Sequence, residues 1–382
     1  MIAVWSSSAH TDAWVAETRR LIAEDRVYYV IVGLFVLCAG VTAAAVGRDY
    51  VVFTVFGYVR SWAILAVGGI TAALSPRFIV RAWRERPAHP LVLARDILLE
   101  FLAPAAAAGL ALYLALAAFM GAFTTMKTVL PCLNGFWADP WLARIDRAVH
   151  FGQQPWRWIQ PLLGFPPVTR LIEIVYEPVW IGCIMLVPLY FCVTRRHPEH
   201  RRRFLIGFML TWIINGIVLA GLFMSGGPAF YGRITHDNGP FGDLVRYLSF
   251  DADTALSAAW TQRELWQAYR AASSGVGVGI SAFPSLHVSM IVLCCLGMWK
   301  ISRPVAYALV AVAAVIVVGS VHLGWHYAVG NYVVFVLIGA IWWASGRLAV
   351  APRRIPEPWG VRSSGDRPRG AVAALRVAET DG

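Results

Sequence analysis

The chain has 382 residues, 58% of them hydrophobic and only 14% charged, with a formal net charge of +11. Soluble domains carry roughly a quarter charged residues, so this composition excludes an ordinary soluble domain. The basic excess suggests nucleic acid, but its distribution along the chain excludes that partner.

A charged leader of 26 residues precedes the first apolar run, Val27–Val46. A cleaved signal peptide needs a short apolar run and a small-residue cleavage site near the start, so this run reads as an anchor. Apolar runs of about 20 residues cross a bilayer, and eight spans are expected, near 27–46, 52–75, 100–123, 175–194, 204–225, 285–299, 304–322 and 331–346. Arg60 interrupts the second and either snorkels outward or faces the bundle interior.

With the N-terminus inside, 22 of the 33 basic residues fall on inner segments and 10 on outer ones. The positive-inside rule therefore sets both termini in the cytoplasm, and the weakly Ala- and Arg-biased composition points to a bacterial plasma (inner) membrane. Two long segments then lie outside, about 124–172 and 226–284. In the first, Asp139-Pro140 reads as a helix start, Asp as N-cap and Pro at the first helical position. Leu142, Ile145 and Val149 follow at helical spacing, with Trp137, Trp141, Trp156 and Trp158 nearby. Either this helix lies in the headgroup layer or it packs on the bundle. The tail beyond Pro352, rich in Pro, Arg and Gly, reads as disordered. Six scattered cysteines with no CxxC spacing indicate neither a disulfide framework nor a zinc site, and no metal or cofactor is called for.

Topology singles out one pattern. Pro284-Ser285-Leu286-His287 opens the sixth span at its outer end, and His322 and His326 close the seventh, also outside. A helix N-terminus offers free N–H groups and a partial positive charge to phosphate. Ser285 adds a hydroxyl, and Gly275, Gly277 and Gly279 permit close approach. A lone histidine at a helix end is usually structural, whereas two at one membrane depth, one beside Pro-Ser, favour chemistry. His322 and His326 have metal-ligand spacing but lack the glutamate of His-Glu-x-x-His. Glu173 and Glu177 read as a proton relay or as interfacial carboxylates. Asp251 and Asp253 read as a substrate-binding pair or a solvated loop.

The run Ser281-Ala282-Phe283-Pro284-Ser285-Leu286-His287, followed by His326-Tyr327, resembles the type 2 phosphatidic acid phosphatase (PAP2) superfamily, closest to its inositol phosphorylceramide synthase-like branch. Gly226-Gly227-Pro228-Ala229-Phe230-Tyr231 resembles the Gly-Pro-rich motif of that branch. The resemblance covers roughly residues 100–346 and implies an all-α polytopic protein with a six-helix PAP2-like bundle. It divides the chain into a leader with two extra spans (1–98), a catalytic membrane domain (99–346) and a basic tail (347–382). It further implies His326 as nucleophile through a phosphohistidine, and His287 as acid and base. Ser285, Lys127, Arg233, Gly227, Tyr231, His322 and Asn331 are the candidate substrate-binding residues. The implied partners are membrane lipids, a phospholipid donor and a lipid acceptor, met at the outer face without nucleic acid.

Two departures stand out. The family's aspartate four residues after the nucleophile is here Gly330, so Asn331 is the expected substitute partner of the His326 ring. The arginine-rich motifs of the phosphatase branch are missing, so Lys127 and Arg233 are the expected replacement cations. The sequence therefore supports a headgroup transferase first, a lipid phosphate phosphatase second, and a catalytically silent lipid- or partner-binding scaffold third. Gly330 favours the last.

Overall fold

The structure, a computed structural model, describes residues 8–48 and 51–349. The tail expected to be disordered lies outside the described residues from Val350 onward. Fifteen helices are described, of which seven are long and apolar enough to cross a membrane. The chain is an all-α polytopic membrane protein.

Helix α1 (Ser8–Glu24) carries the charged leader, and α2 (Arg26–Ala45) is the first span. α3 (Val51–Glu85) runs through Pro76 and past the end expected from hydropathy. Its last turns carry Arg77, Arg81 and Arg84, the solvated continuation of an apolar span. Arg60 is exposed on its surface, which settles the snorkelling alternative. α4 (Pro90–Phe101) leads to α5 (Pro104–Asn134), the most buried span. α2 and α3 pack on α5 through Phe35 against Phe119 (4.5 Å) and Trp62 against Tyr113 (4.7 Å).

The leader is locked to the bundle by an ion pair. Buried Asp25 accepts two hydrogen bonds from Arg201, both 2.8 Å, and one from Arg195. A buried charge pair of this kind is costly to break from one side, because the remaining charge is left uncompensated.

Two short helices follow, α6 (Asp139–Val149) and α7 (Trp156–Leu163). The buried face of α6 is Asp139, Leu142, Ala143 and Asp146, whereas Trp141, Ile145 and Val149 are exposed. The apolar stripe expected at 142, 145 and 149 is thus split: Leu142 packs on the bundle, while Ile145 and Val149 are exposed with Trp141, an apolar face of the kind a headgroup-layer helix presents. Asp139 does not cap its own helix; its carboxylate is spent elsewhere.

The spans α8 (Pro166–Val193) and α9 (Pro198–Leu222) each contain a π-helical stretch, Val175–Val179 and Thr211–Leu219. In α8 the stretch contains Pro178, which has no N–H to give the α-helical ladder. Such widened turns recur at functional sites, and both deliver side chains to one place, described below. The segment between α9 and the next span holds α10 (Tyr231–Thr235), α11 (Gly242–Leu248) and α12 (Ala258–Arg270). Three apolar helices complete the fold: α13 (Leu286–Met298), short for a span, α14 (Arg303–His322) and α15 (Ala328–Ala349).

Candidate active site

The site forms where α13 begins and α14 gives way to α15. Ser285 caps α13, its hydroxyl oxygen accepting from the Val288 amide at 3.3 Å. His287 lies in the first turn. Its ring is sandwiched by Tyr176 (4.5 Å between centroids), within the π-helical stretch of α8, and Trp180 (4.1 Å), just after it. The Trp180 indole N–H donates to the His287 carbonyl at 2.9 Å, pinning the same turn. From α9, Asn215 donates to the Ser285 carbonyl at 3.5 Å and to the Ser289 hydroxyl. Residues in or next to both π-helical stretches therefore brace the N-terminal end of α13.

His326 sits in the link between α14 and α15. The Ser320 carbonyl accepts from the amides of Trp325 (3.0 Å) and His326 (2.9 Å), which folds the link back on α14. The His326 and His287 rings face each other with centroids 5.7 Å apart. His326 Nδ1 bonds the Ala282 carbonyl oxygen at 2.7 Å. A carbonyl can only accept, so Nδ1 carries the proton and Nε2 presents a free lone pair. Burial pushes the His326 imidazole down to about 4, against the pull of the Ala282 bond and with a further push from Lys127. The ring is therefore neutral near pH 7, as a nucleophile must be.

Lys127 supplies the positive charge. It belongs to α5 itself, which runs on to Asn134 rather than ending near residue 123. Its ammonium lies within Coulombic range of His287, His326 and Glu177. Gly279, with φ at +116°, makes room for it: a Cβ there would meet the lysine stem at 3.1 Å. Of the three alternating glycines, Gly279 alone lies against the lysine.

Not every expected residue arrives. Asn331 is not the partner of His326: its amide donates to the Ser320 hydroxyl at 2.8 Å and to the Val317 carbonyl. One residue off the aspartate's register turns it about 100° around the helix, toward α14. His322 is buried but turned away, its Nε2 bonded to the Thr169 hydroxyl at 2.9 Å. Arg233 is exposed and stacks over Trp266 at 5.4 Å, so it does not replace the missing arginines. Tyr231 packs on Phe241, which packs on Tyr327, and so supports the site from behind. Gly227, with φ at +94°, allows contact between backbones: a Cβ would meet the Trp325 carbonyl at 2.6 Å and Ala282 at 2.8 Å.

Two carboxylates hold the site in place, Asp139, expected from sequence only as a helix cap, and Asp146, which the sequence did not single out. Asp139 accepts from the amides of Gly226 and Gly227, both 2.8 Å, and from the Tyr327 hydroxyl at 2.6 Å. Burial raises its carboxyl to about 6, opposed by those three hydrogen bonds. Two turns on, Asp146 accepts from the Ala328 and Val329 amides, capping α15 from another helix. Their spacing of seven residues on an otherwise apolar face was the available signal. Glu173 is also structural, bonded to the Ala258 amide and Arg170, and Asp251 pairs with the same arginine. Asp253 is fully exposed.

No curated protein and no solved structure matches the chain. A family described as the PAP2 superfamily does match, over residues 140–344, more than half the chain and the whole stretch that holds both histidines. The paired histidines on α13 and before α15 thus lie inside the matched region, and the chain belongs to the PAP2 superfamily.

Proposed function

We propose that the protein is a lipid phosphotransferase working at the outer face of a bacterial plasma membrane. The observation that carries this reading is the His287–His326 pair, 5.7 Å apart, with Lys127 in electrostatic reach of both. Superfamily membership supports phosphatase- or phosphotransferase-type chemistry on lipid phosphates.

In this reading His326 Nε2 attacks phosphorus, a P–N bond forms, and the bond to the leaving oxygen breaks. His287 delivers a proton to that oxygen, then takes one from the acceptor hydroxyl, which attacks phosphorus and releases His326. Lys127, the Ser285 O–H and the first-turn amides of α13 hold the phosphoryl oxygens. Transfer to a lipid hydroxyl is preferred to hydrolysis because the Pro-Ser-Leu-His and Gly-Gly-Pro forms resemble the inositol phosphorylceramide synthase-like branch. The Ala282 carbonyl weighs against a silent scaffold, since it orients the His326 ring in the absence of an aspartate.

The test is headgroup transfer in liposomes against a panel of labelled phospholipids, with trapping of labelled enzyme. An acid-labile, base-stable phosphoenzyme that disappears in His326→Ala is the expected result. Activity untouched by His326→Ala removes the mechanism.

A further inference from the structure

A second lipid-facing feature lies behind His326. A groove of about 360 Å³ runs between the α6–α7 link and the outer ends of α14 and α15. Val317, Val318 and Val321 form one wall and Trp158 another, so its lining is hydrocarbon for most of its length. At one end the His150 ring nitrogen and the Tyr332 hydroxyl share a hydrogen bond of 2.7 Å, giving the groove a polar mouth. Asn331 lines it too, 1% exposed, and its side-chain oxygen has no donor among the described residues.

Two of the groove's walls are membrane spans, which fixes what reaches it. Phe151, beside the mouth, is 91% exposed, and Tyr332 and Val336 are open on the same face. Aromatic rings in that position suit the headgroup boundary, with acyl chains directly below. A cleft of this volume lies within the range of small-ligand pockets. One hydrocarbon chain along the valines, with its ester region beside the His150–Tyr332 pair, fits the groove's apolar length and its polar mouth.

We infer that this groove holds the acyl chain of a membrane phospholipid, at a site separate from the histidine pair. The bound chain also braces the catalytic link. Asn331 on the groove wall donates to the Ser320 hydroxyl, and the Ser320 carbonyl holds the Trp325 and His326 amides. Filling the groove restrains Asn331 and, through Ser320, the backbone that carries His326. This inference does not depend on the transferase reading.

The test uses the full chain, reconstituted in palmitoyl-oleoyl phosphatidylglycerol vesicles, extracted in mild detergent and weighed by native mass spectrometry. Wild type is expected to retain one phosphatidylglycerol. Val318→Trp, which fills the groove, is expected to lose it, whereas Val336→Trp on the open face keeps it. Amide exchange at Trp325 and His326 should quicken in Val318→Trp alone. Failure of wild type to retain lipid, or equal retention in Val318→Trp, overturns the inference. A phosphatidylglycerol with a diazirine in its chain tests the unmodified protein, independently of how the variant folds. Adducts concentrated at Val318, Val321 and Tyr332 support the site; adducts spread evenly over α2 and α3 overturn it.

Discussion

The imidazole of His326 is oriented by the carbonyl oxygen of Ala282, 2.7 Å from Nδ1, where the superfamily pattern leads one to expect a carboxylate. A neutral acceptor fixes the tautomer as well as an aspartate does, but stabilises an imidazolium less. Position 330 is not idle space. A Cβ there would stand 3.3 Å from the Phe283 ring and 3.9 Å from the Ser285 amide. An aspartate placed at 330 points at the start of α13 and, in the proposed mechanism, competes with substrate for its amides. Gly330→Asp should therefore lower transfer activity rather than raise it, by about tenfold or more, measured as kcat/KM in liposomes. A gain would show that Ala282 is not the working partner.

Among the described residues, Lys127 is the lysine in Coulombic reach of both histidines. Replacing it with Met keeps the stem that passes Gly279 and removes the charge. Loss of one oxyanion donor costs on the order of 10² in turnover, and Lys127→Met should show a loss of that size at unchanged thermal stability. Arg233→Met, exposed and stacked on Trp266, should leave kcat within about twofold.

Asp146 caps α15 through the Ala328 and Val329 amides. Asp146→Ala leaves both donors unpaired beside His326. Removing a helix cap costs about 1–2 kcal/mol, so a lower unfolding temperature and reduced turnover are expected together. Unchanged unfolding would show that the cap is dispensable.

Asp139 makes a pH-dependent contribution whose sign is fixed by its carboxyl, raised by burial from 3.8 to about 6. Between those values the folded state binds the proton that the unfolded state releases, so folding takes up protons. The Asp139 contribution is fully present below the unfolded value and is lost as pH rises through about 6. Relative to Asp139→Asn, wild type should gain thermal stability on going from pH 7 to pH 4.5. A parallel pair of curves would refute the raised carboxyl.

Orientation is checked with cysteines introduced in a Cys132→Ser background, since Cys132 is itself exposed. Asp237→Cys should react with an impermeant thiol reagent added outside intact cells, and Glu199→Cys should not. Both positions are exposed in the fold, so reversed labelling would invert the topology.

The spans, the two histidines and Ser285 were legible because hydrophobic length and helix-start chemistry are local signals. The end of α5 was not: residues 124–131 are only moderately apolar and remain helical because they pack against the bundle, which carried Lys127 into the site from a helix. Asn331 and His322 were misplaced for a related reason. Each was judged by distance along the chain, while α15 starts only at Ala328 and α14 ends at His322, so their side chains turn toward α14 and Thr169. Asp139 looked like a cap because Asp-Pro is a good cap in isolation. Its partners Gly226, Gly227 and Tyr327 are 87 or more residues away, a relation no local pattern encodes.

That long reach has a consequence for biogenesis. Chains are made from the N-terminus, so α6 is threaded out well before Tyr327, Ala328 and Val329 exist to receive its two aspartates. Until the final span is inserted, Asp139 lacks its phenol, Asp146 lacks its amides, and His326 has not joined His287. The two-histidine site is therefore complete only with the last insertion event. A ribosome-stalled or truncated chain ending before α15 already carries His287 and Lys127, yet lacks the Ala328 and Val329 amides that Asp146 holds.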